Sequence, residues 1–256
     1  MKKKILLFLM SIILISCGRT KEEKKLYGNW YDINEKINIE IDEDSIKIFD
    51  NDFQKNKWNV SNKKLHFDYK PYLSDTIIKL SKGFAFTEND TLVMDGPNGP
   101  STSFKFIRSK NYLDFLSKKH QVIFDLKEYK NAKYNSRKEK LGLKVFIGYR
   151  NDTIICKTEF SENLDNLDKD WEEKLDFNLE DFYINYSDAT HIVDFEKWQQ
   201  IAPYYKVFVD KNIPQDSVKK CFEKMKNQKP FKIYMVSKTK ENNYIDFTNM
   251  KMIEID

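Results

Sequence analysis

The feature that most constrains this chain is a period of two running from Leu26 to about Arg108. Ile37, Ile39 and Ile41 alternate with Asn38, Glu40 and Asp42, and Leu65, Phe67 and Tyr69 alternate with Lys64, His66 and Asp68. Successive side chains on a strand point to opposite faces, so each run carries one apolar and one polar face. Further runs at 45–49, 57–60, 75–80, 83–87, 91–95 and 102–108 are separated by turn-forming clusters, among them Asp50-Asn51-Asp52, Ser61-Asn62, Glu88-Asn89-Asp90 and Gly96-Pro97-Asn98-Gly99-Pro100. Short strands at near-regular spacing, with no helical stretch between them, predict an antiparallel meander closing into a sandwich or small barrel.

After Ser109 the pattern changes. Residues 111–119 read as a polar connector with room for a helical turn, and strand-like runs follow at 121–126, 143–149 and 153–158. Ser161 can cap a helix whose Leu164, Leu167, Trp171 and Leu175 share one face. Residues 182–186 read as a strand, 195–201 as a short helix and 205–210 as a strand. Pro214 then opens a helix with Val218, Cys221, Phe222 and Met225 at helical spacing. A strand at 231–237 and a terminal hairpin of 244–247 with 252–255 complete the chain. The expected fold class is α+β: a small antiparallel β-barrel over 26–109, then an α/β domain over 120–256.

The first seventeen residues give an address. Lys2, Lys3 and Lys4 precede the apolar run from Ile5 to Ile15, and Ser16-Cys17-Gly18 closes it. That run fits the core of a secretory signal and is short for a transmembrane helix. Leu14-Ile15-Ser16-Cys17 resembles the bacterial lipobox, which implies a signal peptide over 1–16 and a diacylglyceryl group on the Cys17 thiol, with an N-acyl chain such as palmitate. Residues 17–25 then read as a lipidated, solvated tether. Gly18 after the anchor resembles the outer-membrane case, and Lys21-Glu22-Glu23 resembles a surface-export signal, so the expected location is the outer membrane, on its periplasmic or its outer face.

Charge narrows the partners. The formal net charge of +4 includes the three leader lysines, and without them the balance is close to neutral. Nucleic acid calls for a concentrated basic face, so no nucleic-acid partner is expected. The expected partners are the membrane, through the lipid, and either a small apolar ligand or an envelope protein.

Leu26-Tyr27-Gly28-Asn29-Trp30 resembles the Gly-x-Trp opening of lipocalin-like barrels, and Phe104-Lys105-Phe106-Ile107-Arg108 is similar to their closing strand. The resemblance implies that Trp30 plugs one end of the barrel with Arg108 across its ring. Arg108 shares parity with Phe104 and Phe106, which also directs it inward. A barrel of about eighty residues has short strands and a small lumen. Filling by Trp30, Phe67, Phe84 and Phe106 would leave a docking surface rather than a ligand cavity. In the second half, Tyr205 to Pro214, with Val218 and Phe231 to Met235, resembles the periplasmic domain of the ExbD/TolR family, in which a strand ending Asp-Lys-x-x-Pro enters a helix. That family's membrane helix has no counterpart here, and a generic βαβ unit fits the same residues.

No catalytic, cofactor-binding or metal-ligating set stands out. His66 lies on a polar strand face, His120 in the connector, and His191 is the one histidine near carboxylates and aromatics. Asp165, Asp168 and Asp170 lack the glycine of a calcium loop and read as a polar helix face. Cys156 and Cys221 can be two buried thiols or a disulfide. The aromatics Tyr183 and Tyr204 are candidates for a partner patch if they face outward. The functional expectation is a non-catalytic binding module, with a structural or immunity-type interaction protein as the alternative.

Overall fold

Nine strands come from the alternating region: β1 (Gly28–Asp32), β2 (Asn38–Ile41), β3 (Ile46–Phe49), β4 (Phe53–Asn56), β5 (Trp58–Ser61), β6 (Lys64–Tyr69), β7 (Ile78–Thr87), β8 (Thr91–Gly96) and β9 (Gly99–Arg108). The computed structural model describes residues 19–35, 37–49, 53–70, 76–87, 90–96, 99–128, 142–177, 203–228, 231–238 and 252–255. The strands form one antiparallel sheet in the order β4-β3-β2-β1-β9-β8-β7-β6-β5. It curls into a nearly closed barrel, with β4 meeting β6 across the remaining gap.

Register places the apolar positions in rows across the inner face. Arg108, Trp30, Ile39 and Ile48 stand opposite one another on β9, β1, β2 and β3. Phe84, Met94 and Phe104 form a second row, and Trp58, Phe67 and Leu80 a third. Trp30, Leu65 and Leu92 are fully buried, Phe106 nearly so, and Phe84, Phe86 and Phe104 pack against them half-buried. The alternation therefore drives closure: each strand buries one face, and the faces share a single core.

Three features of this unit depart from the sequence reading. Runs 75–80 and 83–87 belong to one strand, β7, because Gly83 does not mark a turn. A Cβ at Gly83 would sit 2.6 Å from Asp95 Oδ2, and the Gly83 N–H donates to that carboxylate at 2.9 Å. Strand β4 was not expected, since Phe53-Gln54-Lys55-Asn56 lacks apolar alternation; it is an edge strand held by in-register pairing with β3. Finally, residues 19–25 are not a solvated tether. Lys21–Lys25 forms a short helix, α1, with a reciprocal capping box between Thr20 and Glu23, and Glu23 is buried.

The chain divides into Met1–Lys110 and Asn111–Asp256. The second unit opens with helix α2 (Tyr112–His120), where a polar connector with at most a helical turn was expected. Asn111 caps it through Asp114 N at 2.9 Å, and Tyr112, Phe115, Leu116 and His120 are its buried residues. The polar positions 114, 117, 118 and 119 masked this helical face in the sequence. Five strands follow: β10 (Gly142–Arg150), β11 (Thr153–Thr158), β12 (Tyr204–Val209), β13 (Ile233–Val236) and β14 (Met252–Ile255). Their order is β11-β10-β12-β13-β14, with β10, β12 and β13 parallel and the outer strands antiparallel. The run at 121–126 forms no strand, only single bridges at Ile123 and Leu126.

A 3-10 turn at Leu164–Asn166 leads into α3 (Leu167–Phe177), with Asn163 rather than Ser161 as the cap of the turn. Helix α4 (Gln215–Gln228) follows Pro214. Leu164, Leu167, Trp171 and Met225 share a core with Leu143, Val145, Ile147, Tyr205 and Val207, as the helical spacing predicts. Asp170 is buried rather than on a polar face, accepting from Thr158 Oγ1, and burial raises its carboxyl pKa. Expectations for 182–186, 195–201 and 244–247 lie outside the described residues.

Because Trp30 is fully enclosed, Trp30→Ala should destabilise the first unit by about 3–5 kcal/mol, read as a lowered unfolding midpoint in urea. A change below about 1 kcal/mol would mean the ring does not support the core.

Candidate functional site

One end of the barrel is closed by two tryptophans, each covered by an arginine. Trp30 Nε1 donates to Leu26 O at 2.7 Å, and the Arg108 guanidinium lies 4.5 Å from the ring centroid. Arg108 also donates to Lys25 O and pairs with Asp90 at 3.3 Å. Gly28 has φ +129, a backbone conformation that glycine alone adopts without strain, so the Gly-x-Trp spacing has a steric reason. The second pair was not legible in the sequence. Trp58 Nε1 donates to Asp42 O at 2.9 Å, and Arg19 sits 4.2 Å above the Trp58 ring. Arg19 further donates to Glu43 O and Trp58 O, both at 3.0 Å, and to Glu23 Oε1 at 3.1 Å. Nothing local marks Arg19 and Trp58 as partners thirty-nine positions apart.

A cleft of about 500 Å³ opens on β5, β6 and β7. Trp58, Phe67 and Leu80 supply its apolar part, and Lys57, Asn59, His66, Asp68, Lys79 and Ser81 its polar part. The volume lies within the range of small-molecule pockets, yet its apolar residues already belong to the barrel core. His66 keeps its place on the polar face, with Nε2 2.9 Å from Ser61 Oγ. Beside the cleft, at the start of β7, Ile77 and Ile78 are 62% and 43% exposed, the most exposed large apolar side chains described in this unit. Together the cleft and this apolar lip can hold a partner by burying isoleucine while lysine, aspartate and histidine form a polar rim.

The second unit's distinctive motif is structural. Asp210, at the end of β12, accepts from Asn212 N at 2.8 Å and Asp125 N at 2.6 Å. Lys211 and Lys238 then reach the Asp125 carboxylate at 2.7 and 2.6 Å. Hydrogen bonds from these two lysines hold the Asp125 carboxyl below the usual carboxylate range. The Asp-Lys-x-x-Pro run thus ties strand β12, the segment before β10 and the entry to α4 into one junction.

The remaining candidates separate. Cys156 and Cys221 are free thiols in contact, one on β11 and one on α4. The interaction with Cys221 and burial push the pKa of the Cys156 thiol up. His120 is buried and stacked on Phe146 with centroids 4.4 Å apart, not in a connector. Tyr204 is fully buried edge-on to Tyr234, so it cannot form the outward patch proposed from strand parity. Cys17, Tyr183 and His191 lie outside the described residues. Among the described residues no group of three His, Cys, Asp or Glu side chains could hold a metal ion, and no helix is long and apolar enough to cross a membrane. Comparison with protein-family models, curated proteins and solved structures gives no match.

Asp125 provides a pH test. Its folded pKa is depressed, so its contribution to stability is present at neutral pH and is lost as pH falls through the carboxylate range. Asp125→Asn should lower the unfolding temperature at neutral pH, and the gap between variant and parent should narrow steadily as the pH falls below the ordinary carboxylate range. A difference that persists unchanged in acid would assign the effect to something other than this charge.

Proposed function

We propose that the chain is a lipid-anchored protein of the bacterial outer membrane, attached through Cys17, that acts without catalysis by binding an envelope protein. In this reading the first unit is a lipocalin-like barrel and the second an α/β domain. The observation that carries it is the filled barrel. Trp30, Ile39, Leu65, Leu92 and Phe106 occupy the interior that a ligand-carrying barrel keeps open, so recognition falls to the surface. The surface favoured is the cleft on β5–β7 with its lip of Ile77 and Ile78. The 500 Å³ volume of that cleft favours a second reading, a small amphipathic ligand lying over Trp58 and Leu80.

A photo-crosslinking residue placed at the exposed Ile77 should give one discrete protein adduct in intact envelopes, and the same residue at the exposed Thr102 on β9 should give none. Equal labelling at both positions, or none at Ile77, would remove this face as the docking surface. A small molecule recovered in unit stoichiometry with the purified chain, and lost in Leu80→Lys, would favour the second reading instead.

A further inference from the structure

The described chain begins already fastened to the barrel. Arg19, its first residue, makes three hydrogen bonds, to Glu43 O, Glu23 Oε1 and Trp58 O, and covers the Trp58 ring. Thr20 and Glu23 then close their capping box at 2.8 and 3.1 Å, and Leu26 is fully buried. Only Gly18 separates Arg19 from Cys17. Two residues of chain span at most about 7 Å, so no slack exists between the anchoring thiol and the barrel wall.

We infer that the α1 end of the barrel rests on the membrane surface, bringing Lys21, Lys24 and Lys25 to the level of the lipid headgroups. This rests on the lipid attachment proposed for Cys17. Register defines the end concerned: Gly28, Ile41, Ile46 and Asn56 lie side by side there, next to the turn that carries Glu43. Residues 33–35 follow β1 at its opposite end, about 17 Å from Gly28 along the strand. Lys21, Glu22, Lys24 and Lys25 are all exposed, so α1 presents three cationic side chains and one anionic one. Lysine at a membrane surface is attracted to anionic lipid. Glu23 is turned inward to Arg19 and Thr20, while Glu22, Glu43 and Asp44 are exposed at the same end, so charge there is balanced and the reach of the anchor sets the orientation. The short reach from Cys17 to a residue already fastened on the barrel points this end at the bilayer.

The full chain, purified from membranes with its lipid, is placed in vesicles of phosphatidylethanolamine and phosphatidylglycerol, part of which carries a photoactivatable group on the headgroup. Mapping the adducts by mass spectrometry should find them on residues 20–25 and 42–45, at about tenfold or more the yield on 33–35, given a strand length of separation. Even labelling of both ends, or preference for 33–35, would overturn the orientation while leaving the anchor intact. An N-terminal peptide whose mass lacks diacylglycerol would overturn the anchor, and the orientation with it.

Discussion

The barrel depends on the contact between Arg108 and Trp30. Four parts of the chain meet there: the end of α1 through Lys25 O, β1 through the indole, β9 through the guanidinium and the start of β8 through Asp90. A guanidinium over an indole is worth about 0.5–2 kcal/mol, more as it is desolvated. Its larger effect is on register. Trp30 stands opposite Arg108 on one side and Ile39 on the other, so fixing this row fixes the pairing of β9, β1 and β2. A one-residue slip would turn every inward side chain of those strands outward.

The same device recurs at Trp58, where Arg19 provides the cover. Arginine suits both places because its planar, weakly hydrated head can lie on a ring while its N–H groups still reach backbone carbonyls. Together the two pairs make residues 19–26 part of the barrel wall. That links the fold to the proposed function, in which a nearly closed, aromatic-filled barrel would meet its partner through its outer surface.

What the sequence made legible follows from physics that acts locally. Alternation at Ile37, Ile39 and Ile41 and the spacing of Val218, Cys221, Phe222 and Met225 are read within a few residues, and both elements stand where they were expected. The Trp30–Arg108 row was reached through a resemblance joined to strand parity. Arg19 over Trp58 was not, because nothing near either residue encodes the other. Runs 75–80 and 83–87 were read as two strands because the alternation lapses at Lys82 and Gly83, and the reason for Gly83 is the Asp95 carboxylate on the neighbouring strand. Helix α2 was missed because only Tyr112, Phe115, Leu116 and His120 are buried among polar neighbours, and Tyr204 was misplaced because both faces of β12 are buried. In each case the deciding contact is long-range.

The most direct test of this account is a double-mutant cycle at its central contact. Arg108→Met keeps the aliphatic stem and removes the charge, and Trp30→Leu keeps an apolar side chain and removes the ring. Unfolding of the full chain in urea, followed on the first unit's transition, should give a coupling of about 0.5–2 kcal/mol between the two changes. Additivity within about 0.3 kcal/mol would contradict the claim that this pair holds the barrel end closed.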